Sequence, residues 1–150
     1  MTLTASATST VTGRSPQEVI EFVLDLEQYR RIDTKILRVF SIEGPDDEGN
    51  GSARILGRMR WTPPAPDVQD FSLERWQRLT FRGGARQPGR AVFNFTGTFE
   101  CNEVAEGTEF THAYVFDFTP PFRWLERVHR GSFTPDLRDE VDRLATHLST

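Results

Sequence analysis

Two hydrophobic periods alternate along the chain. In "FTHAYVFDFTPP", residues 110–121, Phe110, His112, Tyr114, Phe116 and Phe118 occupy the even positions. Successive strand side chains point to opposite faces, so these five share one face of a strand. The preceding run "RAVFNFTGTFECNEV" repeats the pattern with Ala91, Phe93, Phe95, Gly97, Phe99 and Cys101, and "AEG" turns one strand into the next. In residues 52–61, Ala53, Ile55, Gly57, Met59 and Trp61 alternate with Ser52, Arg54, Leu56, Arg58 and Arg60. That predicts a strand apolar on one side and wet on the other.

Further strands are expected over residues 2–12, 35–43, 69–77 and 78–82. Phe71, Leu73 and Trp76 disagree in parity, which calls for a bulge or a tight turn near Arg75. Near the start the period is helical. "SPQE", residues 15–18, offers Ser15 as cap, Pro16 at the first helical position and Glu18 to close a capping box. Val19, Ile20, Phe22, Val23 and Leu26 follow at helical spacing, with Tyr29 beyond a break near Asp25, so one helix or two short ones span 16–32. The tail carries a second stripe, Phe133, Leu137, Val141, Leu144 and Leu148. Val128 lies nine residues before Leu137, about 180° round an unbroken helix. Gly131, Thr134 and Pro135 sit between, predicting a kink or restart there; the alternative is one long helix whose ends meet different neighbours.

Composition narrows the function. The 150 residues suit a single domain, 1–150, that buries about two-thirds of its unfolded surface. A charged fraction of 27% and a mean hydropathy of −0.50 fit a globular chain. A formal charge of −4 argues against a nucleic-acid partner. No apolar run reaches the ~18–20 residues of a membrane span, and "MTLTASATSTVTG" lacks the features of a signal peptide, so a cytoplasmic location is expected by elimination. Cys101 is the only cysteine, and His112, His129 and His147 lack zinc-site spacing. No metal or other cofactor is expected, and the oligomeric state is not readable.

The order of elements, together with "SPQEVIEFVLDLEQYRRID" and "FNFTGTFECNEVAEGTEFTHAYVFDFTPPFRWLERV", resembles the SRPBCC superfamily, which contains START, Bet v 1-like and polyketide cyclase/dehydrase-like proteins. The likeness covers nearly the whole chain. It implies an α+β helix-grip fold: a curved seven-stranded antiparallel sheet around a long C-terminal helix, with a cavity between them. No catalytic signature accompanies it, and the same fold serves lipid carriage, cyclisation, dehydration and binding.

Within that frame the expected ligand is a hydrophobic or amphipathic small molecule, lipid or polyketide-like. The expected lining is Ile55, Met59, Trp61, Phe81, Phe93, Phe95, Phe99, Phe110, His112, Tyr114 and Phe116, with Trp124 and Val128 bordering the cavity from the last helix. His112 and Tyr114, about 6–7 Å apart along one face, are the polar candidates for orienting a ligand or for acid/base work. No acid is placed by the sequence to orient His112. Asp136, Asp139, Glu140, Asp142 and Arg143 read as the wet side of the last helix, and Arg54, Arg58 and Arg60 as an outer sheet face. Gly57 and Gly97 read as bulges or as room for a ligand. The alternative function is a cyclase, aromatase or dehydratase using the same cavity.

Overall fold

A computed structural model describes residues 2–59, 63–83 and 93–150. Strand β1, Thr2–Thr12, is followed by helices α1, Pro16–Leu24, and α2, Leu26–Tyr29. Strands β2 (Ile36–Glu43), β3 (Asn50–Gly57), β4 (Ala65–Glu74), β5 (Arg78–Gly83), β6 (Phe93–Val104) and β7 (Gly107–Phe118) come next. A short 3₁₀ turn, Pro120–Phe122, leads into α3, Trp124–Leu148. The strands form one antiparallel sheet in the order β1-β7-β6-β5-β4-β3-β2, so β7 returns to pair with β1 and α3 crosses the concave side.

The local causes are those the sequence offers. Ser15 Oγ accepts from the Glu18 amide at 3.2 Å while the Glu18 carboxylate accepts from the Ser15 amide at 2.8 Å, closing the capping box. Asp25 ends α1 and caps α2, so the two-helix alternative holds. Along β7 the even positions are buried, Phe110 at 1% and Phe118 at 2% exposure. On α3 the stripe Phe133, Leu137, Val141 and Leu144 is buried against the sheet. Each such side chain removed from water contributes about 1.5–3 kcal/mol in gross terms.

Four expectations change. First, α3 runs unbroken from Trp124 to Leu148 with Pro135 inside it, so no restart occurs. A helical proline crowds the carbonyl four residues earlier. Here that residue is Gly131, and the helix continues through both. Second, β4 begins at Ala65 and ends at Glu74; residues 75–77 form the tight turn that reconciles the parity, with Trp76 in it. Third, β3 ends at Gly57, so Met59 lies beyond the strand, and Trp61 lies outside the described residues. Fourth, the sheet's irregularities fall on edge strand β2, between Ile36 and Arg38 and between Val39 and Ser41. Gly97 instead sits in regular register and is covered by the Phe95 ring, 2.7 Å from where a Cβ would stand.

Candidate functional site

The most unusual side chain in the molecule is Glu140, 1% exposed in the middle of α3. Burying a carboxylate is costly unless it is paired and hydrogen-bonded. Glu140 is surrounded by donors. Tyr29 Oη donates to Oε2 at 2.6 Å, Lys35 Nζ donates to Oε1 at 2.8 Å, and His112 Nε2 lies 3.1 Å from Oε2. Lys35 also contacts Asp33 at 2.9 Å. Four elements thus converge: α2 brings Tyr29, the α2–β2 connection brings Asp33 and Lys35, β7 brings His112, and α3 brings Glu140.

Burial alone would raise the Glu140 carboxyl, but Lys35 and then His112 outweigh it and hold it well below the ordinary carboxylate value. Lys35 is its counterpart. Its partial burial opposes the charge, yet Asp33 and Glu140 outweigh that and hold the ammonium well above its usual value. Asp33 is pushed upward, because burial and the Glu140 charge exceed the pull of Lys35. The phenols of Tyr29 and Tyr114 are both raised, chiefly by burial. These shifts keep the Lys35 ammonium charged and the Tyr29 and Tyr114 phenols protonated, so all three remain hydrogen-bond donors.

His112 has a distinct geometry. Nδ1 stands 2.9 Å from the Thr98 carbonyl, an acceptor, and Nε2 faces the Glu140 carboxylate. The imidazole thus bridges the Thr98 backbone on β6 and the Glu140 carboxylate on α3. The ring stacks on Phe99 at 3.9 Å and 6°, which fixes its plane.

Above this network lies a cavity of about 390 Å³ between α3 and the sheet, within the range of small-molecule sites. Lys35, Met59 and Tyr114 form its sheet side; His129, Ser132, Phe133 and Glu140 form its helix side. Asp136, Asp139, Arg58 and Arg143 ring it. A smaller void of about 50 Å³ lies deeper, and shares Lys35 and Tyr114 with the first. Its walls include Ile55, Phe81, Phe95, Phe99 and His112.

The residues singled out in the sequence therefore divide. Met59 and Tyr114 line the larger cavity. Ile55, Phe81, Phe95, Phe99, His112 and Tyr114 line the smaller void. Phe110 and Phe116 are buried core outside both linings, and Phe93 packs on Phe116 with ring centroids 5.0 Å apart. Trp124 and Val128 do not border the cavity: they are 59% and 46% exposed, because the unbroken α3 turns that face outward. The larger cavity is also more polar than an aromatic-lined pocket, since the aromatic rings of β6 and β7 pack on one another and on Phe133.

Sequence reading missed Glu140, Lys35, Asp33 and Tyr29 as a cluster. The wet-side placement of Glu140 is corrected by its burial, as is the absence of an acid for His112. One signal was present: Glu140 lies three residues after Leu137 and four before Leu144, on the buried stripe. Among the described residues no group of three or more His, Cys, Asp or Glu is placed to hold a metal ion.

Sheet, grip helix and cavity over a buried polar cluster define a helix-grip protein. The chain belongs to the family described as polyketide cyclase/dehydrase and lipid transport, whose pattern it matches over residues 2–149. A search of curated proteins finds no match. Among solved structures it is similar to the di-domain ARO/CYC BexL from the BE-7585A biosynthetic pathway, with a TM-score of 0.74 and 12% identity over 99% of this chain. The chain spans about half, 50%, of that di-domain protein. It is similar to the Zhui aromatase/cyclase from Streptomyces sp. R1128, with a TM-score of 0.67 and 12% identity, covering 99% of this chain and 93% of that one. TTHA0849 from Thermus thermophilus gives 0.66 and 16% identity, covering 99% and 97%. At these identities the likeness shows the fold. No helix among the described residues is long and apolar enough to cross a membrane.

Proposed function

We propose that the chain binds a small amphipathic molecule in the cavity of about 390 Å³, with Lys35 and Tyr114 holding its oxygen-bearing end. The observation that carries this reading is Lys35. An ammonium has three donors; Asp33 and Glu140 take two, and the side chain is still 34% exposed where it lines the cavity. Its Nζ lies 5.5 Å from the centre of the Tyr114 ring, so ammonium and phenol address the same space. Met59 and Phe133 supply apolar wall on either side. Nile red, a neutral lipophilic dye, is expected to brighten on binding and to be displaced by a lipid extract. Tyr114→Phe should weaken oxygen-bearing competitors about 5- to 10-fold, the worth of one hydrogen bond, and leave the dye unaffected. No dye binding and no co-purifying small molecule would defeat the reading.

A second reading, a cyclase, aromatase or dehydratase, is favoured by the 3.1 Å contact of the His112 imidazole with the Glu140 carboxylate beneath the cavity. Family membership and the ARO/CYC neighbours are compatible with it. General-base work favours a group poised near the operating pH, and the strong shifts on Glu140 and Lys35 run the other way. Binding therefore stands first. Turnover of a candidate substrate that His112→Ala abolishes, with its binding retained, would reverse that order.

A further inference from the structure

The first two turns of α3 present their apolar face outward. Trp124, Arg127, Val128 and Gly131 fall at i, i+3, i+4 and i+7, one helix face, and all are exposed, Trp124 at 59% and Val128 at 46%. The opposite face of the same turns points inward: Glu126 is 3% exposed and His129 1%. Glu126 is the only acid between residues 119 and 135, and Arg130 neutralises it. The outward charge of this end is therefore positive, carried by exposed Arg123 and Arg127 on a chain of formal charge −4.

We infer that this face docks on an anionic phospholipid surface, with Trp124 and Val128 at headgroup depth and Arg123 and Arg127 on lipid phosphates. Tryptophan flanked by arginine on a helix face suits the bilayer interface, where indole and guanidinium meet both apolar and charged groups. A second copy of the chain fits worse, since a two-fold contact would set Arg123 and Arg127 against themselves. A protein partner needs about 800 Å² per side, more than two apolar side chains offer. The inference stands apart from the ligand reading, but the two faces belong to one helix: His129, Ser132 and Phe133, next along α3, line the cavity.

The test is co-sedimentation of the full chain with vesicles of phosphatidylcholine, with and without about 30 mol% phosphatidylglycerol. The expected result is binding that requires phosphatidylglycerol and weakens as salt rises. Arg123→Gln with Arg127→Gln should lower partitioning about 30-fold, from the worth of two arginines at an anionic surface. Trp124→Ser should lower it several-fold, and all variants should keep the native thermal midpoint because these side chains are exposed. Equal binding to both vesicles, no binding, or binding unchanged in the variants would overturn the inference. So would a native dimer that Trp124→Ser dissociates, which would assign the face to a second copy.

Discussion

Glu140 concentrates the chemistry of the molecule in one residue. Tyr29, Lys35 and His112 all point at it, so its removal leaves two buried donors and an ammonium with one partner fewer. Breaking a buried pair from one side typically costs about 3–5 kcal/mol, and Glu140→Ala should lose that much in urea denaturation. Tyr29→Phe, which removes one donor to a charged acceptor, should lose about 1.5–3 kcal/mol. The pH dependence has a definite sign. Glu140 is held below its ordinary value of 4.5, so its contribution is present above that pH and is lost as pH falls below it. Lys35 is held above 10.5, so its contribution is present below that pH and is lost as pH rises beyond. Asp33, pushed upward from 3.8, opposes the fold once ionised and blunts the acid limb. Comparing native chain with Glu140→Gln between about pH 2.5 and 6 isolates the Glu140 share: the stability gap should narrow as the pH falls. A gap independent of pH would show that the carboxylate is not held ionised.

Charge concealed this residue in the sequence. Asp136, Asp139 and Asp142 surround Glu140 in the chain, and four acids in seven residues read as a solvated face. Only its place between Leu137 and Leu144 marks it as different. Its partners could not be found by periodicity, because Tyr29 and Lys35 are 111 and 105 residues away and meet it only through the fold. His112, by contrast, was visible as a lone imidazole among rings on one strand face, though its acid was not.

At the level of elements, local chemistry was legible and long-range packing was not. The capping box at Ser15 follows from four consecutive residues, and Ser15→Ala should cost about 1 kcal/mol. The strand faces of β6 and β7 follow from period two. The continuity of α3 does not, because the packing of Phe133, Leu137, Val141 and Leu144 on the sheet overrides the local preference of Pro135. Gly131→Ala meets open space in a regular helix and should stabilise the chain by about 0.5–1 kcal/mol. Leu144→Ala, fully buried, should cost about 2–5 kcal/mol, while exposed Trp124→Ala should stay within about 0.5 kcal/mol. Urea midpoints for the three variants test this ordering. A large loss at Trp124 would mean that its face is covered.

For the whole molecule, the helix-grip architecture was readable from the order of elements, and the family match over residues 2–149 agrees with it. What the architecture alone does not convey is the composition of the interior. Aromatic rings of β6 and β7 close most of the concave face as core, and the remaining cavity borders the charged cluster that ties α3 to the sheet. The cavity lies over the cluster, so binding and the polar network share one site.

The most direct test of that claim is to fill the cavity without touching the cluster. Ser132 lines the space from α3, and its hydroxyl donates to the His129 carbonyl at 3.2 Å within the same helix. Ser132→Trp would place an indole in the cavity while leaving Tyr29, Lys35, His112 and Glu140 in place. The measurement is Nile red titration of the native chain and of Ser132→Trp at equal thermal midpoint. The account predicts binding in the native chain and at least a tenfold loss in the variant, about 1.4 kcal/mol or more. Equal affinity in a folded Ser132→Trp chain would place the ligand elsewhere and contradict it.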